Sequence, residues 1–158
     1  MNVEELEQAF AEIDSRITFV RRPDPVPGDL RLGWRFSALV LILSRCRGNS
    51  ATLQQTHFIG WALRSREARD VVRHVLRGDK QPEDLLVRYD PVFTRTIAIA
   101  EKESLIVRNT RQVLVLTLPG LLLANKIWAR EDIMVAEKEF LELFPRRMTQ
   151  KYVRELIG

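Results

Sequence analysis

The chain holds one cysteine, two histidines and five lysines among its 158 residues, and each scarcity closes off a class of chemistry. Cys46 alone forms no internal disulfide and supplies no cysteine-based zinc site. It follows Leu43 on an apolar face, so it reads as a packed thiol. His57 and His74 stand far apart, with no HExxH pairing and no carboxylate cluster beside them, so no metal site is expected. There is no Gly-x-x-x-x-Gly-Lys loop to cradle phosphates, no Gly-x-Gly-x-x-Gly and no Gly-x-Ser-x-Gly turn. Glu101 and Glu103 flank Lys102 at the end of a helix, a solvated face rather than a pair of metal-holding strands. Hence no cofactor, no catalytic residue and no enzymatic activity are expected.

Long apolar runs are missing too. Phe36 to Leu43 and Val113 to Leu123 are too short to span a bilayer, and Pro119-Gly120 interrupts the second. The opening Met-Asn-Val-Glu-Glu lacks a basic stretch followed by an apolar one, so a cytoplasmic protein without membrane contact is expected. Seven glycines and seven prolines exclude a fibrous or low-complexity chain.

What the chain does have is a sizeable apolar fraction, 46%, beside 29% charged residues, enough for one soluble domain with a core. Its 25 bases and 21 acids leave a net charge of +4. Twenty of those bases are arginine. Arginine's planar fork suits phosphates, carboxylates and protein interfaces, although a GC-rich coding sequence gives the same bias. Residues 1–35 carry a net −2, residues 36–115 a net +5 and residues 116–158 a net +1. The positive excess belongs to the middle.

Val3, Leu6, Phe10, Ile13 and Ile17 recur at steps of three and four, which predicts one apolar seam on an N-terminal helix. The seam either packs on its own domain or docks on another subunit, and these five are the candidate partner-binding residues. Three prolines between Pro23 and Pro27 end that helix. Residues 1–29 therefore read as an arm and linker, and residues 30–158 as the body.

The body opens with a helix over Trp34–Arg47, stopped by Gly48-Asn49, with Ser50 as the expected cap of the next. That second helix runs to Arg64, and a third spans Glu67–Leu76. Asp90-Pro91 starts a further helix, with Asp90 as cap and Pro91 in the first turn, running to Ser104. Leu105–Val107 and Gln112–Thr117 predict a β-hairpin. Helices from Leu118 to Arg130, over 133–144 and over 148–157 complete the chain.

Helices, a helix opened by Asp90, a hairpin, then helices again form the order of a winged helix. The expected fold is therefore mainly α with a small β-hairpin: a winged-helix domain with extra N- and C-terminal helices. In that fold the helix 90–104 can meet a DNA major groove with the hairpin alongside. Arg88, Arg95, Lys102, Arg108 and Arg111 are the candidate DNA-binding residues, placed to meet phosphates. The helix offers few side chains for reading base edges, so contact without sequence selection is expected.

A family resemblance rests on an ordered series of short motifs. The series is Arg88-Tyr89-Asp90-Pro91-Val92-Phe93, then Ala98 to Ile106, then Leu116-Thr117-Leu118-Pro119-Gly120. Ser50 to Ser65 precedes it, and Glu137 to Leu141 with Met148 to Lys151 follows. Over about residues 30–157 the chain resembles the middle components of ABC-three-component systems, of which the Lamassu anti-phage systems are the best-known relatives. It departs from them at Ser104, where glycine ends the helix, and at Pro119, where a charged residue is usual. The resemblance implies a non-catalytic connector beside an SMC-like ATPase, joined to an effector such as a nuclease, in prokaryotic anti-phage or anti-plasmid defence. Double-stranded DNA is an expected non-specific partner. The alternative is a winged-helix transcriptional regulator acting as a homodimer.

Overall fold

The computed structural model describes residues 28–81 and 90–157. Helix α1 (Gly28–Arg45) begins two residues inside the stretch expected to be linker. A short 3-10 turn (Arg47–Asn49) leads to strand β1 (Ser50–Ala51). Then come α2 (Leu53–Arg64) and α3 (Arg66–Leu76). Beyond them lie α4 (Pro91–Lys102), β2 (Ile106–Arg108) and β3 (Leu114–Leu116). The chain closes with α5 (Leu118–Ala129), α6 (Val135–Glu142) and α7 (Gln150–Ile157). The architecture is mainly helical with one small antiparallel sheet.

The core is built round α1. Ala38 through Leu43 are six consecutive residues with no exposure at all, so this stretch of the helix is covered on every side and not on one broad face. It packs on α2, α4, α5, α6 and the strand β3. Phe58, Ile59, Ile97, Ile106, Leu114, Phe140 and Phe144 close around it.

Two inward-turned cations fasten the C-terminal helices to this centre. Arg45, at the end of α1, donates to the Leu141 and Phe144 carbonyls at 3.4 and 3.3 Å and lies over the Trp128 ring. Lys138 donates its ammonium to the Ile127 carbonyl at 3.1 Å and to that of Arg130. The ammonium thus supplements the Arg130 N–H on the Ile127 carbonyl and serves the carbonyl of the C-cap residue itself, where the helix supplies few donors of its own. Neither role shows in the local pattern, where both residues look like surface charge.

The sheet corrects the sequence reading. A two-stranded hairpin is expected, but β1 joins it, in the order β1-β3-β2. Ser50 pairs with Val115 and Ala51 with Leu114, while Ile106 pairs with Leu116 and Arg108 with Leu114. Ser50 thus lies in a strand. The cap of α2 is Thr52, whose hydroxyl accepts from the Gln55 N–H at 3.2 Å while the Gln55 side chain accepts from the Thr52 N–H at 2.8 Å. This reciprocal pair is a capping box, and Thr-x-x-Gln is its sequence signature.

Candidate interaction surface

Asp90 organises the start of α4 as the sequence predicts. It takes an extended backbone, and its carboxylate accepts from the Val92 N–H at 2.9 Å with Pro91 in the first turn. The same carboxylate meets Arg35 of α1 at 3.6 Å and Arg64 of α2 at 3.4 Å, so it ties three helices together. Burial pushes this carboxyl up. The Val92 and Phe93 N–H groups and the two arginines outweigh that and hold it below the usual carboxylate range. Its charge is therefore spent inside the fold and does not confront a ligand on α4.

Beside it, His57 is buried and lies 3.2 Å from the Thr94 hydroxyl, edge-on to Phe93. Burial lowers its pKa, opposed by the nearby Asp90 charge. Cys46 is a packed thiol, 2% exposed, pushed up to about 12 by burial. Among the described residues, no three of His, Cys, Asp and Glu are grouped as a metal site needs. No helix among them is long and apolar enough to cross a membrane.

With Phe93, Thr96, Ile97 and Ala100 turned inward, α4 leaves Val92, Arg95, Ile99 and Lys102 outside. These recur at steps of three, four and three, which places them on one face. Val92 is 47% and Ile99 37% exposed. The outward face therefore alternates aliphatic and cationic side chains. No asparagine or glutamine occurs in the helix, and those are the side chains that read adenine edges.

The helix ends in a Schellman motif. Ser104 takes a left-handed backbone at φ 56°, its N–H donates to the Glu101 carbonyl at 3.1 Å, and Leu105 N–H donates to that of Ala100 at 3.0 Å. Serine thus stands in the conformation that glycine holds at least cost.

The five candidate DNA-binding residues do not form one group. Arg95 and Lys102 share the α4 face. Arg108, on β2, makes a two-pronged pair with Glu101 at 3.0 and 3.2 Å, so its charge is already matched. Arg111 sits in the connection between β2 and β3, whose turn is held by the Asn109 carboxamide oxygen accepting from the Arg111 and Val113 N–H groups. Arg88 lies outside the described residues, as do Val3, Leu6, Phe10, Ile13 and Ile17 and the proline-rich segment from Pro23 to Pro27.

Arg111 belongs with residues that the sequence did not single out as DNA contacts. It lines a groove with Arg47, Ser50, Thr149, Gln150 and Lys151. An adjoining pocket shares Arg47 and adds Arg147. Arg47 and Arg147 meet because Cys46 and Met148 form a parallel bridge: Arg47 N–H donates to the Met148 carbonyl at 2.9 Å, and Met148 N–H to that of Arg45 at 3.1 Å. About a hundred residues separate the two arginines, and no local pattern connects them. In sheet order, this groove lies at the β1 edge, whereas α4 packs at the β2 edge.

Comparison with protein-family models, curated proteins and solved structures finds no match for this chain.

Proposed function

We propose that this chain is a non-catalytic connector subunit of an SMC-like ATPase complex in prokaryotic anti-phage or anti-plasmid defence. It works in the cytoplasm, bridging the ATPase and an effector through protein contacts, and touches double-stranded DNA without sequence selection. The domain is read as a winged helix. In support, a short strand between the first two helices of the body joins the hairpin after α4 as a third strand.

The observation that carries the connector reading is the outward face of α4. In a DNA-reading winged helix this face enters the groove and presents polar side chains to base edges. Here it presents Val92 and Ile99 between Arg95 and Lys102. Exposed aliphatics with flanking arginine fit a protein partner, where burial of apolar surface supplies affinity and cations set orientation. Co-expression with the SMC-like ATPase encoded beside it is the test. The chain is expected to co-purify with the ATPase, and Val92→Glu with Ile99→Glu to release it while the fold melts cooperatively. A chain that stays monodisperse and ignores that ATPase overturns the reading.

The second reading, a homodimeric transcriptional regulator, draws on Arg95 and Lys102, which face outward on the same helix. It requires nanomolar binding to the chain's own promoter and much weaker binding to a scrambled duplex. A connector shows no such preference.

A further inference from the structure

Three adjoining pockets run along the β1 edge of the sheet. The first shares Arg47 with the second, and the second shares Gln150 with a third that Arg154 and Gln55 line. Five cations border this channel: Arg47, Arg111, Arg147, Lys151 and Arg154. They come from the 3-10 turn, the hairpin tip, the segment before α7 and α7 itself. No acidic residue lines any of the three pockets. Among the described residues, Arg47, Arg111, Arg147 and Arg154 have no carboxylate partner. Lys151 meets Glu155 at 3.7 Å, with both side chains largely exposed.

Two further features mark this edge. Arg147 stands at φ 63°, a left-handed backbone that favours glycine or asparagine over a long side chain. The buried Gln55 leaves its Nε2 without an acceptor, although its oxygen is used in capping α2. The fold therefore gathers like charges and leaves an amide donor unmatched on the same channel.

We infer that this channel binds the phosphate backbone of double-stranded DNA, at a site separate from the outward face of α4. Its lining is the chemistry of phosphate contact: arginine and lysine with the Thr149 hydroxyl and the Gln150 amide. An acidic protein partner fits it less well, since Met148, its apolar liner in the central pocket, is buried and offers no anchor. Single strands fit less well too, because no aromatic side chain lines the pockets for bases to stack on. The site deepens the DNA contact of the proposed reading and is tested on the purified full chain without the ATPase. Failure of the DNA site and failure of the connector role therefore appear in different experiments.

The experiment is fluorescence anisotropy with a labelled random-sequence duplex, titrated with the full chain at rising salt. Arg47→Ala with Lys151→Ala is expected to weaken binding about tenfold and to lower the salt slope by about 2, one unit for each phosphate that the variant no longer neutralises. Arg95→Ala with Lys102→Ala is expected to change neither by more than a small factor. Arg147→Asn separates charge from folding, because it relieves the left-handed backbone. It should keep or raise the thermal midpoint while weakening the duplex. Arg47→Lys, which keeps the charge, should retain most of the binding. An unchanged salt slope in the Arg47 and Lys151 variant overturns the inference. So does full loss of binding from the α4 variant alone, or an acidic peptide or a single strand binding more tightly than the duplex.

Discussion

Gly120 and the carbonyl of Leu105 touch so closely that a Cβ on Gly120 would lie 2.0 Å from the Leu105 oxygen. That oxygen also accepts from the Thr117 N–H at 3.1 Å, and the Thr117 hydroxyl accepts from the Gly120 N–H at 3.3 Å. The start of α5 is thereby locked to the end of α4 through backbone that no side chain can separate. Gly120→Ala is expected to destabilise the fold by about 3 kcal/mol, at the upper end of overpacking costs. Gly33, inside α1 with nothing within 4 Å of a Cβ, is the matched control. There alanine should stabilise by about 0.5–1 kcal/mol through its better helix propensity. Urea denaturation of the two variants checks both signs.

Ser104 gives a prediction of the opposite sense. Its left-handed backbone closes α4, and such a conformation costs about 1–2 kcal/mol for a residue with a Cβ. Glycine removes that cost but adds unfolded-state entropy worth about 0.5–1 kcal/mol. Ser104→Gly is therefore expected to gain a few tenths to about 1 kcal/mol. Ser104→Val, stiff at its β-carbon, should lose stability. The Ser104 carbonyl, which accepts from the Thr117 hydroxyl at 2.5 Å, is backbone and survives both changes. Thermal midpoints at fixed pH order the three proteins.

These two sites show what a sequence reveals and what it hides. Asp90-Pro91 was legible as a helix start because a cap, a proline and the following apolar pattern act within four residues. The α1 helix was legible in type but not in environment. Its six buried residues, Ala38 to Leu43, need partners on all sides, and those come from α2, α4, α5 and α6. Ser50-Ala51 carries no strand pattern at all. It becomes β1 only because Val115 and Leu114 present a free edge more than sixty residues later. The basic channel was illegible for the same reason. Arg47 and Arg147 are unremarkable alone, and only the Cys46–Met148 bridge sets them side by side. Arg108 was legible as a cation but not as one already matched by Glu101.

Acid should weaken the fold in two separate windows. Burial lowers the pKa of His57, so the unfolded chain takes up a proton there first. Stability from the neutral imidazole is complete above its unfolded pKa of about 6.5 and is lost as pH falls below it. The Asp90 carboxyl is held below its usual range, so its contribution is complete above about 3.9 and is lost on further acidification. Thermal midpoints from pH 8 to 3 should fall twice. His57→Gln should flatten the upper window and leave the lower, whereas Asp90→Asn should shrink the lower, to which Asp132 and Glu67, also held below the usual carboxylate range, contribute as well. Unfolding that depends on pH equally in all three proteins would assign the acid sensitivity to other groups.

Glu101 decides what Arg108 can do. The two-pronged pair at 3.0 and 3.2 Å joins the last turn of α4 to β2. It also makes the pair neutral as a whole, so it offers a phosphate no net charge. Both side chains are only about a third exposed, so solvent screens the pair partly rather than fully. Arg108→Ala is then expected to alter duplex affinity less than twofold, although a bare count of cations ranks it with Arg111. Glu101→Gln removes an acid and frees the arginine, but at the β2 edge, away from the channel, so affinity should rise less than twofold with little change in the salt slope. Arg111→Ala, which removes a cation with no carboxylate partner among the described residues, should lower affinity and reduce the slope by about 1. Anisotropy titrations of the three variants against one duplex distinguish a charge held within the protein from a charge available to DNA. Equal losses from Arg108→Ala and Arg111→Ala would mean that the Glu101 pair opens when DNA binds.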